Sequence, residues 1–160
     1  MSKLAHLPQR SPGAIQPTYG ETQVALLRRV SGENNVVNHP QWPALADQLL
    51  EVCEEAKTPD WDGAGAKPVS DGAYQMSLRL LRRIPSTVQT PEIFADTDGS
   101  ICFEWYMSRR SFAIFVAATE VMMYVGYYSD SEQFSGRRVF PGQFPAEFLN
   151  WIRLVYDHTD

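Results

Sequence analysis

Four short apolar runs follow one another between residues 91 and 128, and a compact turn signal separates each run from the next. The runs cover residues 91–95, 100–107, 111–117 and 121–128. Apolar side chains alternate within them, and a period of two is typical of strands. Asp98-Gly99 between the first two runs is a strong hairpin signal, because glycine supplies the positive φ of a tight turn. The pattern predicts an antiparallel meander of four strands.

Helical patterns lie on both sides of these runs. Apolar residues recur at spacings of three and four over residues 42–57, 71–84 and 145–156. Ser70 is a suitable N-cap for the second helix, and Pro85 ends it. Residues 129–142 are polar, contain glycine and predict a loop. Because strands and helices are segregated, we expect an α+β domain: two helices, a four-stranded antiparallel meander sheet and a C-terminal helix packed on it.

Residues 1–40 differ from the rest of the chain, because prolines and glycines interrupt them and no periodicity is sustained. We predict a partly irregular N-terminal arm there, with one short helix over residues 21–30, and a single α+β domain over residues 41–160. Both faces of the predicted sheet carry apolar side chains. We expect the helices to take one face, and this arm or another molecule to cover the other.

The bulk chemistry excludes several classes of function. A net charge of −5 argues against direct nucleic-acid binding, which needs a basic surface. The histidines and cysteines lack metal-site spacing, and phosphate-loop and nucleophile motifs are missing, so we expect no metal, no cofactor and no catalytic constellation. Prolines arrive too soon for a signal peptide and no apolar run is long enough to cross a membrane, which predicts a cytoplasmic protein.

Three carboxylates are candidates for chemistry. Asp60 and Asp62 flank Trp61 in a glycine-rich loop, where Asp side chains commonly accept hydrogen bonds from nearby backbone N–H groups. Glu104 lies on a predicted strand among apolar neighbours. It is an acid or base of raised pKa, the partner of an arginine, or a solvent-facing side chain. For the loop, the structural role is the favoured interpretation.

Strand aromatics supply either core area or a binding surface, because Tyr and Trp are frequent at interface hot spots. Tyr106, Tyr124 and Tyr128 lie on predicted strands, and Trp61 lies in the glycine-rich loop. Together with Glu104, these aromatics form the predicted partner-contact surface.

Two segments resemble a known group of proteins. Residues 60–68 read DWDGAGAKP and residues 98–105 read DGSICFEW. They are similar to the WDG-x-GA-x-P segment and the DG-x-I-x-x-EW hairpin of small uncharacterised bacterial proteins, and the resemblance covers residues 59–156. Such proteins often belong to mobile elements, plasmids or phages, which implies antitoxin, immunity or inhibitor roles.

The leading hypothesis is a non-enzymatic, acidic module that binds and occludes another protein, as an antitoxin, an immunity protein or an inhibitor of phage defence does. Its partner is expected to be a basic, nucleic-acid-handling protein, with no direct contact to nucleic acid or membrane. One alternative is a small enzyme or ligand-binding domain in which Asp60, Asp62 and Glu104 converge at one end of the sheet. Another is a self-associating subunit that buries a sheet face in a homo-oligomer.

Overall fold

The computed structural model describes residues 40–129 and 131–157, so the predicted arm up to residue 39 lies outside the described residues. In this part of the chain the order of elements is α1 (Trp42–Glu55), α2 (Asp71–Leu81), β1 (Glu92–Ala95), β2 (Ile101–Met107), β3 (Arg110–Val116), β4 (Val121–Ser129), β5 (Glu132–Val139) and α3 (Ala146–Tyr156). The sheet order is β1-β2-β3-β4-β5, and neighbouring strands are antiparallel. The predicted α+β class and the meander are confirmed.

The predicted number of strands was wrong, because part of the expected loop over residues 129–142 forms the fifth strand, β5. β5 is polar, with Phe134 and Val139 as its large apolar side chains, so its sequence carries little apolar alternation. The Phe134 ring covers Gly126 on β4 and packs 4.7 Å from the Trp151 ring of α3. A polar edge strand also resists pairing with other chains, which accounts for its composition.

Local sequence sets the helix ends. Ser70 caps α2 as predicted, since its Oγ accepts a hydrogen bond from the Ala73 N–H at 3.2 Å. Asp71 follows in the first turn, where the helix dipole favours a carboxylate. Both α1 and α2 end earlier than predicted, at Glu55 and Leu81, because turns replace the last predicted residues.

All three helices pack on one face of the sheet, which we call the helix face. Its fully buried side chains on the strands are Ile93, Ile101, Phe103, Trp105, Phe112, Ile114, Val116 and Met122. They form one core with Leu49 of α1, Leu78 of α2, and Phe148 and Ile152 of α3. Within the described residues, no helix combines the length and the apolar character that a membrane span requires.

Candidate functional site

In the described residues, the sheet side opposite the helices has no helix packed on it, and we call this side the open face. The strand register arranges its side chains in rows. One row holds Glu92, Glu104, Ala113, Val125 and Ser135. The row on one side of it holds Phe94, Cys102, Phe115, Met123 and Arg137, and the next row beyond holds Val121 and Val139. The row on the other side holds Tyr106, Ser111, Tyr127 and Gln133. None of these side chains belongs to the core that the helices form.

The open face concentrates the exposed apolar side chains of the described residues. Six large hydrophobic side chains are exposed among the described residues, and four of them lie on the open face: Tyr106, Val121, Met123 and Val139. Tyr106 is 61% exposed and Met123 is 47% exposed. Exposed apolar groups gathered on one surface are typical of a binding site, whereas scattered ones are ordinary.

A pair of carboxylates lies within this apolar surface. Glu104 is directly opposite Glu92 in the β1–β2 register, which puts their Cβ atoms about 4.5–5.5 Å apart. Burial raises the pKa of Glu104, and the charge of Glu92 raises that pKa further. Among the described residues, neither carboxylate forms a hydrogen bond or an ion pair. The pair therefore presents uncompensated negative charge.

Tyr156 of α3 reaches the sheet edge beside this pair. Burial raises the pKa of Tyr156, and the charge of Glu92 adds to the rise. A cationic group docked at this corner would interact favourably with both glutamates and relieve their mutual repulsion.

Two of the predicted contact residues lie on the helix face instead. The Tyr124 ring is 5.1 Å from the Trp151 ring and 5.2 Å from the Phe148 ring of α3. The Tyr128 hydroxyl donates a hydrogen bond to the Trp151 carbonyl oxygen at 2.7 Å, and burial raises the pKa of Tyr128. The structure thus brings Glu104 together with Tyr106 and separates both from the other two tyrosines.

The two Asp residues of the glycine-rich loop bond to the loop's own backbone. The Asp62 Oδ1 accepts hydrogen bonds from the N–H groups of Ala64 at 2.8 Å and Ala66 at 3.0 Å. The Asp60 Oδ1 accepts one from the Gly65 N–H at 2.6 Å. Asp60 itself has a φ of 62°, in the left-handed region that Asp tolerates better than most residues. These contacts give both carboxylates a structural role.

The two segments that carry the sequence resemblance contact each other. The Lys67 N–H donates to the Thr97 carbonyl oxygen at 2.8 Å, and the Trp61 indole N–H donates to the Lys67 carbonyl oxygen at 3.0 Å. Gly99, in the β1–β2 turn, has a φ of 88°, and a Cβ there would lie 2.8 Å from the Pro68 carbonyl oxygen. Trp61 is therefore fixed in this loop, away from the open face.

The three carboxylates of the enzyme hypothesis are not together. The loop of Asp60 and Asp62 contacts the turn after β1, whereas Glu104 pairs with Glu92 at the other end of β1, and the strand between Glu92 and Ala95 is about 10 Å long. No group of three or more metal-ligating side chains is present among residues 40–129 and 131–157. An open surface cavity of about 280 Å³ contains none of these carboxylates, being lined by Pro40, Gln41, Ser86, Val88, Gln89 and Thr90.

The two cysteines are free thiols. Burial raises the pKa of Cys53 to about 12. Burial also raises the pKa of Cys102, and the charge of Glu104 on the same strand adds to that rise. Because the thiolate is the nucleophilic form, burial of this kind disfavours reaction of either thiol near neutral pH.

Sequence reasoning missed several open-face residues. Glu92 becomes visible only when the β1–β2 pairing is counted outward from the turn at Gly99, which places it opposite Glu104. Val121 and Val139 oppose each other across β4 and β5. Their pairing could not be predicted, because the polar sequence of β5 does not indicate a strand. Alternation within the predicted fourth strand groups Met123 with Val121 and Val125 on one face, but it does not indicate which face the helices cover.

Because comparison with known proteins finds no match, the function of this chain has to be inferred from the open face. No protein-family model, no curated protein and no solved structure matches the chain. The open face combines exposed apolar groups with an unpaired carboxylate pair on a sheet that three helices support from behind. Chemically, such a surface suits the docking of an apolar, positively charged partner.

Proposed function

We propose that this protein is a non-enzymatic binding module that docks on another protein through the open face and blocks it. The observation that carries the proposal is the gathering of four of the six exposed large hydrophobic side chains on the one sheet face that lacks helices in the described residues. Burying such side chains against a partner would supply most of the binding free energy, at roughly 25 cal/mol per Å² of apolar area.

Charge selects the kind of partner. Residues 1–39 hold four basic and two acidic side chains, a net of +2, so residues 40–160 hold a net of −7 within the total of −5. The carboxylate pair of Glu92 and Glu104 has no cation beside it among the described residues. A basic protein would be attracted over long range and would place a Lys or Arg side chain at this pair.

The mechanism is steric occlusion. A sheet backed by helices is a rigid platform, which loses little conformational entropy when it docks. Nucleic-acid-handling proteins carry basic surfaces, so an acidic platform competes with their substrate for the same region. The resemblance of residues 59–156 to mobile-element proteins favours an antitoxin, an immunity protein or an inhibitor of defence within this class.

The test is affinity capture from the native cells at moderate salt, with three forms of the tagged protein. The wild-type protein is compared with Glu104→Arg/Tyr106→Ala, which alters the open face. The matched control is Glu55→Arg/Leu154→Ala, which makes the same charge change and removes one exposed apolar side chain elsewhere. We expect a stoichiometric protein to be held by the wild type and the control and lost by the open-face variant.

Either of two results contradicts the proposal. A partner retained by the open-face variant would place the contact on another surface. A wild-type protein that elutes alone, or only as a homo-oligomer, would favour the self-association hypothesis over a partner of different sequence.

A further inference from the structure

We propose that residues 21–30 of the same chain dock on the open face in the free protein. In this arrangement the apolar side chains of the segment cover the apolar rows, and Arg28 and Arg29 lie at the pair of Glu92 and Glu104. The inference goes beyond the proposed function, because docking within the chain holds whether or not a partner exists. A partner would then have to displace this segment.

The point where the described chain begins supports the docking. Pro40 and Gln41 line a surface cavity together with Gln89 and Thr90. Thr90 is two residues before Glu92, the first residue of β1 and a member of the carboxylate pair. The N-terminal segment therefore enters the domain at the β1 edge of the sheet, where Thr90 is two residues along the chain from Glu92.

The segment has enough length to reach across the strands of this surface. Nine residues, 31–39, connect Val30 to Pro40, and an extended chain covers about 3.3–3.6 Å per residue, or roughly 30 Å in total. Five strands with four gaps of about 4.8 Å make a sheet about 19 Å wide. A tethered segment of this length has an effective concentration of order millimolar, so a weak contact is enough for it to dock.

The chemistry of the segment complements that of the face. Residues 21–30 read ETQVALLRRV, with a run of four apolar residues directly before two arginines. The face offers apolar rows around two carboxylates that no described cation neutralises. The opposite net charges, +2 for residues 1–39 and −7 for the rest, favour the same contact. A second copy fits less well, since it would bring another carboxylate pair and a net charge of −5 against the first.

The test uses the full chain, labelled with ¹³C at the Met methyl groups and the Leu methyl groups, in solution NMR. Met123 reports on the open face, Met107 is exposed but lies on the other side of β2, and Met76 and Met122 are buried reporters of folding. We expect cross-peaks between the Met123 methyl group and Leu methyl groups that Leu26→Ala/Leu27→Ala removes.

Charge reversal tests the arginines. Arg28→Glu/Arg29→Glu is expected to abolish these cross-peaks and shift the Met123 signal, while the signals of Met76 and Met122 stay in place. Lys3→Glu/Arg10→Glu makes the same charge change outside the segment and should leave the Met123 signal as in the wild type. Adding Glu92→Arg/Glu104→Arg to the reversed segment should restore the cross-peaks.

Three results would overturn the proposal. The first is a Met123 signal that is the same in the wild type and in Arg28→Glu/Arg29→Glu. The second is an equal shift in the Lys3→Glu/Arg10→Glu control, which would show that the Met123 signal responds to net charge and not to a contact with Arg28 and Arg29. The third is a set of cross-peaks that grows with protein concentration alongside a dimer mass, which would assign the face to a second copy.

Discussion

Both faces of the sheet carry large apolar side chains, but those on the helix face are buried in the core and those on the open face are not, as β3 shows. Phe112 and Phe115 both lie on β3. Phe112, on the helix face, is fully buried and lies within 6.5 Å of five aromatic rings. Phe115, on the open face, is half-buried. The helix face therefore supplies the stability of the fold, which leaves the apolar groups of the open face available for binding.

The largest expected effect comes from truncating these two rings. Phe112→Ala should lower the free energy of unfolding by about 3–5 kcal/mol, because it removes a fully buried ring and leaves a cavity. Phe115→Ala, the matched change on the open face, should cost less, about 1–2 kcal/mol, because its ring is only partly buried. Urea unfolding followed by circular dichroism measures both. Equal costs would mean that the two faces are covered to the same degree.

The second prediction concerns the close packing on the helix face. A Cβ at Gly126 would lie 2.3 Å from the Phe134 ring. Gly126→Ala should therefore displace this ring from its place against Trp151 and lower the free energy of unfolding by about 1–3 kcal/mol. Ser135→Ala, an open-face change on β5, should stay within about 0.5 kcal/mol of the wild type. A neutral Gly126→Ala would show that Phe134 moves freely and that β5 is not held by this contact.

Most of the fold was predictable because the core strands and helices carry strong periodicity. The alternation in β2, β3 and β4 and the Ser70 cap follow from local residue chemistry. β5 escaped prediction because an edge strand needs apolar side chains on one face at most, and its pairing with β4 comes from tertiary contacts. Strand propensity is strongly dependent on such contacts.

The candidate site was predictable only in part. Alternation placed Glu104 and Tyr106 on one face of β2, and the structure agrees. The same alternation puts Tyr124 and Tyr128 with the residues of β4 that face the helices, but which face the helices would take does not follow from one strand. That choice depends on how α3 packs, which involves residues such as Trp151 that are far away in sequence.

The third prediction compares two tyrosine hydroxyl groups. Tyr128→Phe should lower the free energy of unfolding by about 0.5–1.5 kcal/mol, because it leaves the Trp151 carbonyl oxygen without the hydroxyl that donates to it at 2.7 Å. Tyr106→Phe on the open face should change it by less than about 0.5 kcal/mol, since that side chain is largely in water. Thermal or urea unfolding of both variants gives the comparison. A larger cost for Tyr106→Phe would reveal a contact of this hydroxyl group outside the described residues.

The smallest effect is a pH dependence at Glu104. Its raised pKa means that the folded protein holds this proton more tightly than the unfolded chain does. The favourable contribution is therefore complete below the unfolded pKa, near 4.5, and is lost as the pH rises through the folded pKa. In the Arg28→Glu/Arg29→Glu background, Glu104→Gln should remove this loss and make the protein more stable at pH 7, with Glu132→Gln as an exposed control on β5.

The wild-type background then links this titration to the docking of residues 21–30. If Arg28 and Arg29 lie at the carboxylate pair, they neutralise part of the repulsion, and the stabilisation of the full chain by Glu104→Gln at pH 7 should be smaller than in the charge-reversed background. The difference between the two backgrounds is a double-mutant cycle that isolates the contact between the segment and the face. Identical pH profiles of urea unfolding in both backgrounds would mean that the arginines do not reach Glu104.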